Sequence, residues 1–494
     1  MKFYEVGYRS DMPPAKADYP CAVLTPDRWN DFGYVTLWGL TIYQKEGERL
    51  CAGSIKILQR NPEHPSEAIG STILPKNFTK LDENYCSLCQ SLEFYEKLRD
   101  AGSAIYKPFL AAIRDIATSP ENAKPFEGME GFQNSLLRFS EAEKAYHEAK
   151  TLFEGGKSLQ SYTFHFQCTV PGASAKHDVH LDFSEHPTGL HRTAVIIGRN
   201  GTGKTQFLAQ FALAMSGIGD DTIKNDHRFV PNRPSFSRVI AVSYSVFDDF
   251  LRPSSDFDED RTFSYKYCGI RSSSVAEGVK GAQILSPTEL LKLLTTAATI
   301  VTSDKREKIW QDILGILLEG TIAPDRLKLD DLSFYDRLSS GQKILVATMT
   351  QIVAHIKRQS VILFDEPELH LHPEILAALA RAIDRLLREF DSYAIIATHS
   401  ALLLQETLSR QVRIFRRAGD IPRVDQLTVE SFGENLTTIS REVFAMDGDK
   451  NNFRAILEAL SENRTPTAVE EMFPLGLPLQ AQAYLQALQQ TKSQ

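Results

Sequence analysis

The stretch Thr193-Ala-Val-Ile-Ile197 runs without a polar break into Gly198-Arg199-Asn200-Gly201-Thr202-Gly203-Lys204-Thr205, and then into an apolar, helix-forming segment at 206–215. A short β-branched strand, a glycine-rich turn and a helix in that order confine the chain to an α/β domain. The turn fits the spacing G-x-x-x-x-G-K-[ST], whose glycines let backbone N–H groups wrap around phosphates. Lys204 then pairs with the β- and γ-phosphates, and Thr205 offers its hydroxyl to Mg²⁺.

Further continuous apolar runs lie at 238–244, 360–364 and 393–397, which suits inner strands of a mostly parallel sheet covered by helices. Ahead of them, 162–170 and 178–183 read as strands. In the first 160 residues, 35–43 and 54–58 read as strands, while 78–117 and 131–153 read as helical. A mostly helical insert occupies 265–335, and no heptad run interrupts 206–335.

At 494 residues the chain needs two or three domains. With 42% hydrophobic and 24% charged residues it is an ordinary soluble chain, and no apolar run approaches the length of a membrane span. Its six scattered cysteines fit a reducing cytoplasm. A net charge of −8 argues against a surface coated for nucleic acid, though not against a local basic stripe.

The strand at 360–364 ends in Asp365-Glu366. Two adjacent acids at a strand tip divide the work. Asp365, nearer the strand, holds Mg²⁺, and Glu366 faces the γ-phosphate and orients the attacking water as general base. His399, at the tip of the strand at 393–397, is placed to contact the γ-phosphate or that water. His370 and His372 form an H-x-H pair that lacks further zinc ligands, so they shape a loop facing a partner, with Pro373 opening the next helix. Leu338-Ser339-Ser340-Gly341-Gln342 precedes an apolar helix, and a helix N-terminus with small side chains is an anion site.

Leu338 to Gln342 resembles the LSGGQ signature of ABC-type ATPases, with Ser340 in place of the first glycine. Together with Gly198–Thr205, the block Asp365-Glu366-Pro367-Glu368-Leu369-His370-Leu371-His372-Pro373 and His399, it resembles the SMC-like soluble ABC ATPases. That class includes bacterial anti-phage defence proteins of the overcoming-lysogenization-defect (OLD) and Septu kinds. "IGRNGTGKTQFLA", "VSYSVFDDF" and "ESFGENLTTISREVF" are most similar to the Septu ATPase subunit and its retron-associated relatives. The resemblance covers about 160–445.

It implies an ABC/SMC-like P-loop head that binds ATP and Mg²⁺ and hydrolyses ATP slowly, in a regulatory way. It also implies a homodimer or higher oligomer held head-to-tail through ATP, with Ser339, Ser340, Gly341 and Gln342 capping the γ-phosphate bound by the opposite copy. A separate HNH endonuclease subunit is implied as partner, and a reverse transcriptase with its RNA–DNA hybrid in retron systems. Expected domains are an N-terminal α+β docking extension at 1–160, a phosphate-loop lobe at 161–264, the insert at 265–335, a lobe with signature, carboxylates and histidine at 336–445, and a helical tail at 446–494.

The chain departs from the pattern at 243–249. The loop there lacks the usual glutamine, so the Mg²⁺-sensing role passes to Ser245 or Asp248, or is absent. The competing readings are a RecF-like DNA-repair clamp, an OLD-like ATPase carrying its own nuclease, and an ATP-gated scaffold. The first would use Lys305, Arg306 and Lys308, or Arg413, Arg416 and Arg417, which otherwise form solvated faces. The second would use Glu430 with Asp447 and Asp449, which otherwise mark a turn. Cys86-x-x-Cys89 lacks the second pair that a zinc site needs.

Overall fold

The computed structural model describes residues 1–8, 11–154, 162–216, 226–245, 248, 250, 265–271, 284–369, 371–444, 452–462 and 464–492. Its first 153 residues build their own layer. Strands β1 (Lys2–Glu5), β2 (Cys21–Pro26), β3 (Leu37–Lys45), β4 (Glu48–Gln59), β5 (Asn77–Phe78) and β6 (Tyr85–Cys89) pair in the order β5-β1-β2-β3-β4-β6. Helices α1 (Leu92–Asp100), α2 (Ser103–Ala112) and α3 (Ser140–Phe153) pack against this sheet over Phe3, Leu40, Ile55, Phe94 and Phe109.

Two sequence expectations fail in this layer. Tyr85–Cys89 lies inside a stretch read as helical, yet it is a fully buried strand paired with β4. Burial on both faces removes the alternation that marks a strand. The helix expected over 131–153 is interrupted. The Ser135 carbonyl accepts from the buried Lys56 ammonium at 2.8 Å, and the Ser135 and Thr36 hydroxyls meet at 2.6 Å. Phe139 is extended (φ −105°, ψ 142°), and regular helix starts only at Ser140.

Strands β7 (Thr163–Cys168) and β8 (His177–Asp182) precede β9 (Thr193–Gly198), which feeds helix α4 (Lys204–Ser216). Next come β10 (Phe229–Val230), β11 (Val239–Ser243) and β12 (Tyr265–Tyr267). The insert supplies α5 (Pro287–Ser303) and α6 (Glu307–Leu317), followed by α7 (Ser340–His355), β13 (Val361–Asp365), α8 (Pro373–Glu389), β14 (Tyr393–Thr398), β15 (Val412–Ala418) and β16 (Ile421–Asp425). The main sheet runs β12-β11-β13-β14-β9-β15-β16, parallel except for the β15–β16 hairpin at its edge. Strands β11, β13 and β14 are buried along their whole length, which is why their sequences are continuous apolar runs.

Because β13, β14 and β9 are adjacent, the segments leaving their carboxyl ends emerge side by side. That is where open α/β sheets bind ligands. At the opposite end, the N-terminal layer meets this core through Glu141–Lys357 (2.8 Å), Glu96–Arg358 (3.6 Å) and a contact of the buried Lys144 ammonium with the Tyr162 hydroxyl (3.3 Å). These groups line a cleft of about 840 Å³.

Gly433–Gln494 is a second compact unit. It contains α9 (Leu436–Phe444), α10 (Asn452–Ser461), α11 (Pro466–Glu470) and α12 (Leu479–Lys492), with Leu457, Val469, Leu477 and Leu485 at its centre. No described helix is long and apolar enough to cross a membrane.

Candidate nucleotide-hydrolysis site

The turn after β9 can form only where certain side chains are absent. A Cβ on Gly198 would lie 2.3 Å from the Phe415 carbonyl oxygen, and Gly203 sits at φ +92° with Val170 against its open side. The Thr202 hydroxyl donates to the Arg199 carbonyl at 2.8 Å and closes the loop. Arg199, Asn200 and Gly201 form its exposed rim. From β8, the buried His177 ring lies 3.3 Å from the Thr202 carbonyl, a support that no sequence motif signals.

Lys204 is buried beneath this loop, and that burial pushes its ammonium down to about 8. It donates to the Gly198 carbonyl at 3.1 Å and lies 2.7 Å from His399 Nε2. The same nitrogen is 3.0 Å from Glu366 Oε1. One imidazole nitrogen cannot accept from Lys204 and donate to Glu366 at once, so the two contacts compete. The hydrogen bond from His399 is the main reason the Glu366 carboxyl is held below its usual range. Glu366 itself has φ +50°, a left-handed backbone uncommon for a residue with a side chain.

The Thr205 hydroxyl donates to Asp365 Oδ1 at 2.9 Å, joining the helix start to the end of β13. Asp365 is buried, and the cost of desolvating its charge, reinforced by Glu366 and Asp248, raises its carboxyl to about 7. Its other oxygen, Oδ2, is buried with no hydrogen-bond partner. An orphaned carboxylate oxygen beside a threonine hydroxyl fits Mg²⁺, which takes few protein ligands and fills its shell with phosphate and water.

The structure thus brings Gly198–Thr205, Asp365, Glu366 and His399 into one cleft. Ser339–Gln342 share no hydrogen bond with that cleft among the described residues. Ser339 and Gln342 instead satisfy each other. The Ser339 backbone N–H donates to Gln342 Oε1 at 3.0 Å, and the Gln342 backbone N–H donates to the Ser339 hydroxyl at 3.4 Å. This capping box opens α7 and leaves Ser339 and Ser340 exposed. Of the two stand-ins for the missing glutamine, Asp248 influences Asp365, but its own carboxylate accepts from the Tyr267 hydroxyl at 2.9 Å.

Several side chains behind the other readings have partners within the fold, while Lys305 and Lys308 are exposed. Arg306 holds the Val353 and Ile356 carbonyls at the end of α7 (2.8 and 2.9 Å), and Arg413 is buried against the His180 carbonyl (2.7 Å). Arg416 pairs with Asp425 at 3.1 Å, and Arg417 spans the Gly172 and Gly419 carbonyls. These arginines build the fold rather than a basic stripe. Glu430 is spent on the Ser409 backbone N–H and hydroxyl, both at 2.9 Å, while Asp447 and Asp449 lie outside the described residues. Cys86 and Cys89 are buried three apart on one strand, so their thiols point to opposite faces. His370 is outside the described residues, and the His372 ring lies 4.0 Å from Glu374. No group of three His, Cys, Asp or Glu suited to a metal occurs among the described residues.

Residues 313–405 match the family described as "AAA domain, putative AbiEii toxin, Type IV TA system", a span that includes Ser339–Gln342, Asp365, Glu366 and His399. Protein ea59 of Escherichia phage lambda is 27% identical over 474 residues, 88% of each chain. Among solved structures, an SMC head bound to the C-winged helix domain of ScpA is 13% identical over 55% of this chain and 98% of its own, with a TM-score of 0.31. The cbiO1 protein of Clostridium perfringens, part of the ABC transporter complex cbiONQ, is 17% identical over 60% of this chain and 95% of its own, with a TM-score of 0.29. The family match over residues 313–405 and the strand–loop–helix at 193–216 together support an ATPase domain of the AAA P-loop type.

Proposed function

We propose that this chain is the ATP-hydrolysing, regulatory subunit of a Septu- or retron-type anti-phage complex, paired head-to-tail around ATP and controlling a separate HNH-type nuclease. The observation that carries the hydrolytic part is the convergence of Lys204, His399 and Glu366 within 3.0 Å contacts at the carboxyl edge of the sheet. In this reading the N–H groups of the loop from Gly198 to Thr205 cradle the phosphates, and Lys204 leaves His399 to pair with the β- and γ-oxygens. His399 is then free to donate from Nε2, and Glu366 orients water and accepts its proton. Thr205 and Asp365 would hold Mg²⁺, which neutralises phosphate charge when bound.

The exposed N-terminus of α7 supports a trans role for Ser339–Gln342, since among the described residues it shares no hydrogen bond with its own phosphate loop. The phage origin of a relative and a family description naming a toxin system support a setting of phage conflict. The engaged arginines give the RecF-like clamp less support than a protein partner.

Glu366→Gln keeps the shape of the base and removes its basicity. Its phosphate release is expected to fall at least ~100-fold, and the variant is expected to accumulate as an ATP-bound dimer in sizing chromatography. Mass spectrometry of what co-purifies from cells then tests the partner. A stoichiometric HNH-type protein supports the reading, whereas a bare dimer or one carrying only DNA moves it to repair.

A further inference from the structure

Glu368 has been assigned no role, yet it ties the two catalytic loops together. The chain turns sharply after Glu366, with the Leu369 backbone N–H donating to the Glu366 carbonyl at 3.0 Å. That turn sends the Glu368 side chain back across to the end of β14. There Oε1 accepts from the Thr398 hydroxyl at 2.8 Å and from the His399 backbone N–H at 2.5 Å. The Thr398 hydroxyl in turn accepts from the Ser400 backbone N–H at 2.9 Å, so three consecutive residues of the histidine loop hang on one carboxylate. Thr398 is wholly buried, and the carboxylate's other oxygen is buried without a partner. A charged acceptor committed to one loop corner fixes that corner more tightly than neutral bonds would.

We propose that Glu368 is a positioning residue for hydrolysis, setting where the His399 imidazole stands over Glu366. It touches neither phosphate nor water in this scheme and acts through the backbone of residue 399. The inference rests on the ATPase reading above for its effect on rate, but its effect on His399 can be read without nucleotide. Misplacing a catalytic group by about 1 Å costs roughly 100-fold in rate. Loss of the carboxylate therefore slows turnover while the phosphate loop still binds ATP.

The test uses the full chain and the variants Glu368→Ala, Glu368→Gln, Thr398→Val and Thr398→Ser. Phosphate release, fluorescent ATP-analogue binding and the ¹⁵N signals of the His399 ring are measured for each. Support is a turnover loss of roughly 30- to 100-fold in Glu368→Ala with analogue affinity within about threefold, and recovery of at least a third of activity in Glu368→Gln. Thr398→Val, which keeps shape should Glu368→Ala fold poorly, is expected to lose about 3- to 10-fold, with Thr398→Ser near wild type. Glu368→Gln as inactive as Glu368→Ala would mean that the carboxylate handles a proton itself, and the proposal falls. It also falls if turnover in Glu368→Ala and Thr398→Val stays within twofold of wild type. If wild type releases no phosphate, the ATPase reading fails separately, and His399 ring signals unmoved by either substitution still overturn this inference.

Discussion

Lys56 and Lys204 share an electrostatic signature, which the buried Lys144 also carries, but in opposite settings. Lys56 in the N-terminal layer and Lys204 under the phosphate loop are both buried, and burial pushes both ammonium groups down to about 8. Lys56 has fixed partners: Asp31 Oδ2 at 2.6 Å, the Ser135 carbonyl at 2.8 Å and the Phe139 ring at 4.6 Å. Asp31 is further held by Arg138 and the Trp29 indole, both at 2.6 Å. Lys204 has two loop carbonyls at 3.1 and 3.4 Å and a histidine nitrogen already contested by Glu366. A depressed lysine pKa thus does not separate structure from function. What separates them is whether the contacts are compatible: the Asp31 carboxylate accepts from Lys56, Arg138 and Trp29 together, whereas one His399 nitrogen cannot serve Lys204 and Glu366 at once.

The comparison breaks most visibly at Lys204 itself. Lys204→Ala is expected to lower kcat/KM for ATP by about 1,000-fold, or about 4 kcal/mol, with little change in melting temperature. A melt that collapses instead would mean that Lys204 is a structural lysine like Lys56. The reciprocal change, Lys56→Met, removes one of the two cations paired with Asp31 in the N-terminal core and leaves Arg138 as the other. It should cost about 3 kcal/mol in denaturant unfolding followed by tryptophan fluorescence, leaving ATP-analogue affinity unaltered.

The pH response sharpens the distinction. Phosphates require charged Lys204, whereas the free protein lets it lose its proton above about pH 8. Binding must then take up a proton, so analogue affinity weakens as pH rises, by up to about tenfold per unit. In the free protein both lysines bind fewer protons than in the unfolded chain between about 8 and 10.5, so their contribution to stability rises across that window. Bound ATP should erase the share of Lys204 and leave that of Lys56, which urea unfolding with and without nucleotide at pH 8 and 10 would separate.

The smallest effect is expected at Ser339, whose present partner is its own helix. Ser339→Ala should cost about 1 kcal/mol of local stability by hydrogen exchange over α7. If the proposed dimer forms, it also lowers turnover without changing single-site affinity.

The cleft was readable where chemistry forces a fixed spacing within a few residues. Gly198–Thr205 and Asp365–Glu366 announce themselves because backbone N–H groups, a cation and a base must sit at set separations along a strand–loop unit. Glu368 stood in plain view within the same block, but its partners Thr398 and His399 are thirty positions away, and no local pattern reports such a bond. The arginines at 306, 413 and 417 misled for the same reason. Charge was visible in sequence, but the carbonyls that absorb it were not. In the N-terminal layer, burial on both faces hid β6, and a polar network around Ser135 cut a helix whose composition gave no warning.

One consequence of Arg306 is mechanical. Its guanidinium grips the carboxyl end of α7 through three carbonyls, and Trp310 pins the helix partway along through the Thr350 hydroxyl at 2.9 Å. The far end, carrying Ser339 and Ser340, is exposed. From the Thr350 pin to Ser340 the helix is a lever of about 15 Å. A rotation of about 5° at the pin moves its tip by about 1.3 Å, comparable to the displacement that decides whether a catalytic contact is made. Whatever presses on the insert helices therefore has a direct handle on Ser339 and Ser340.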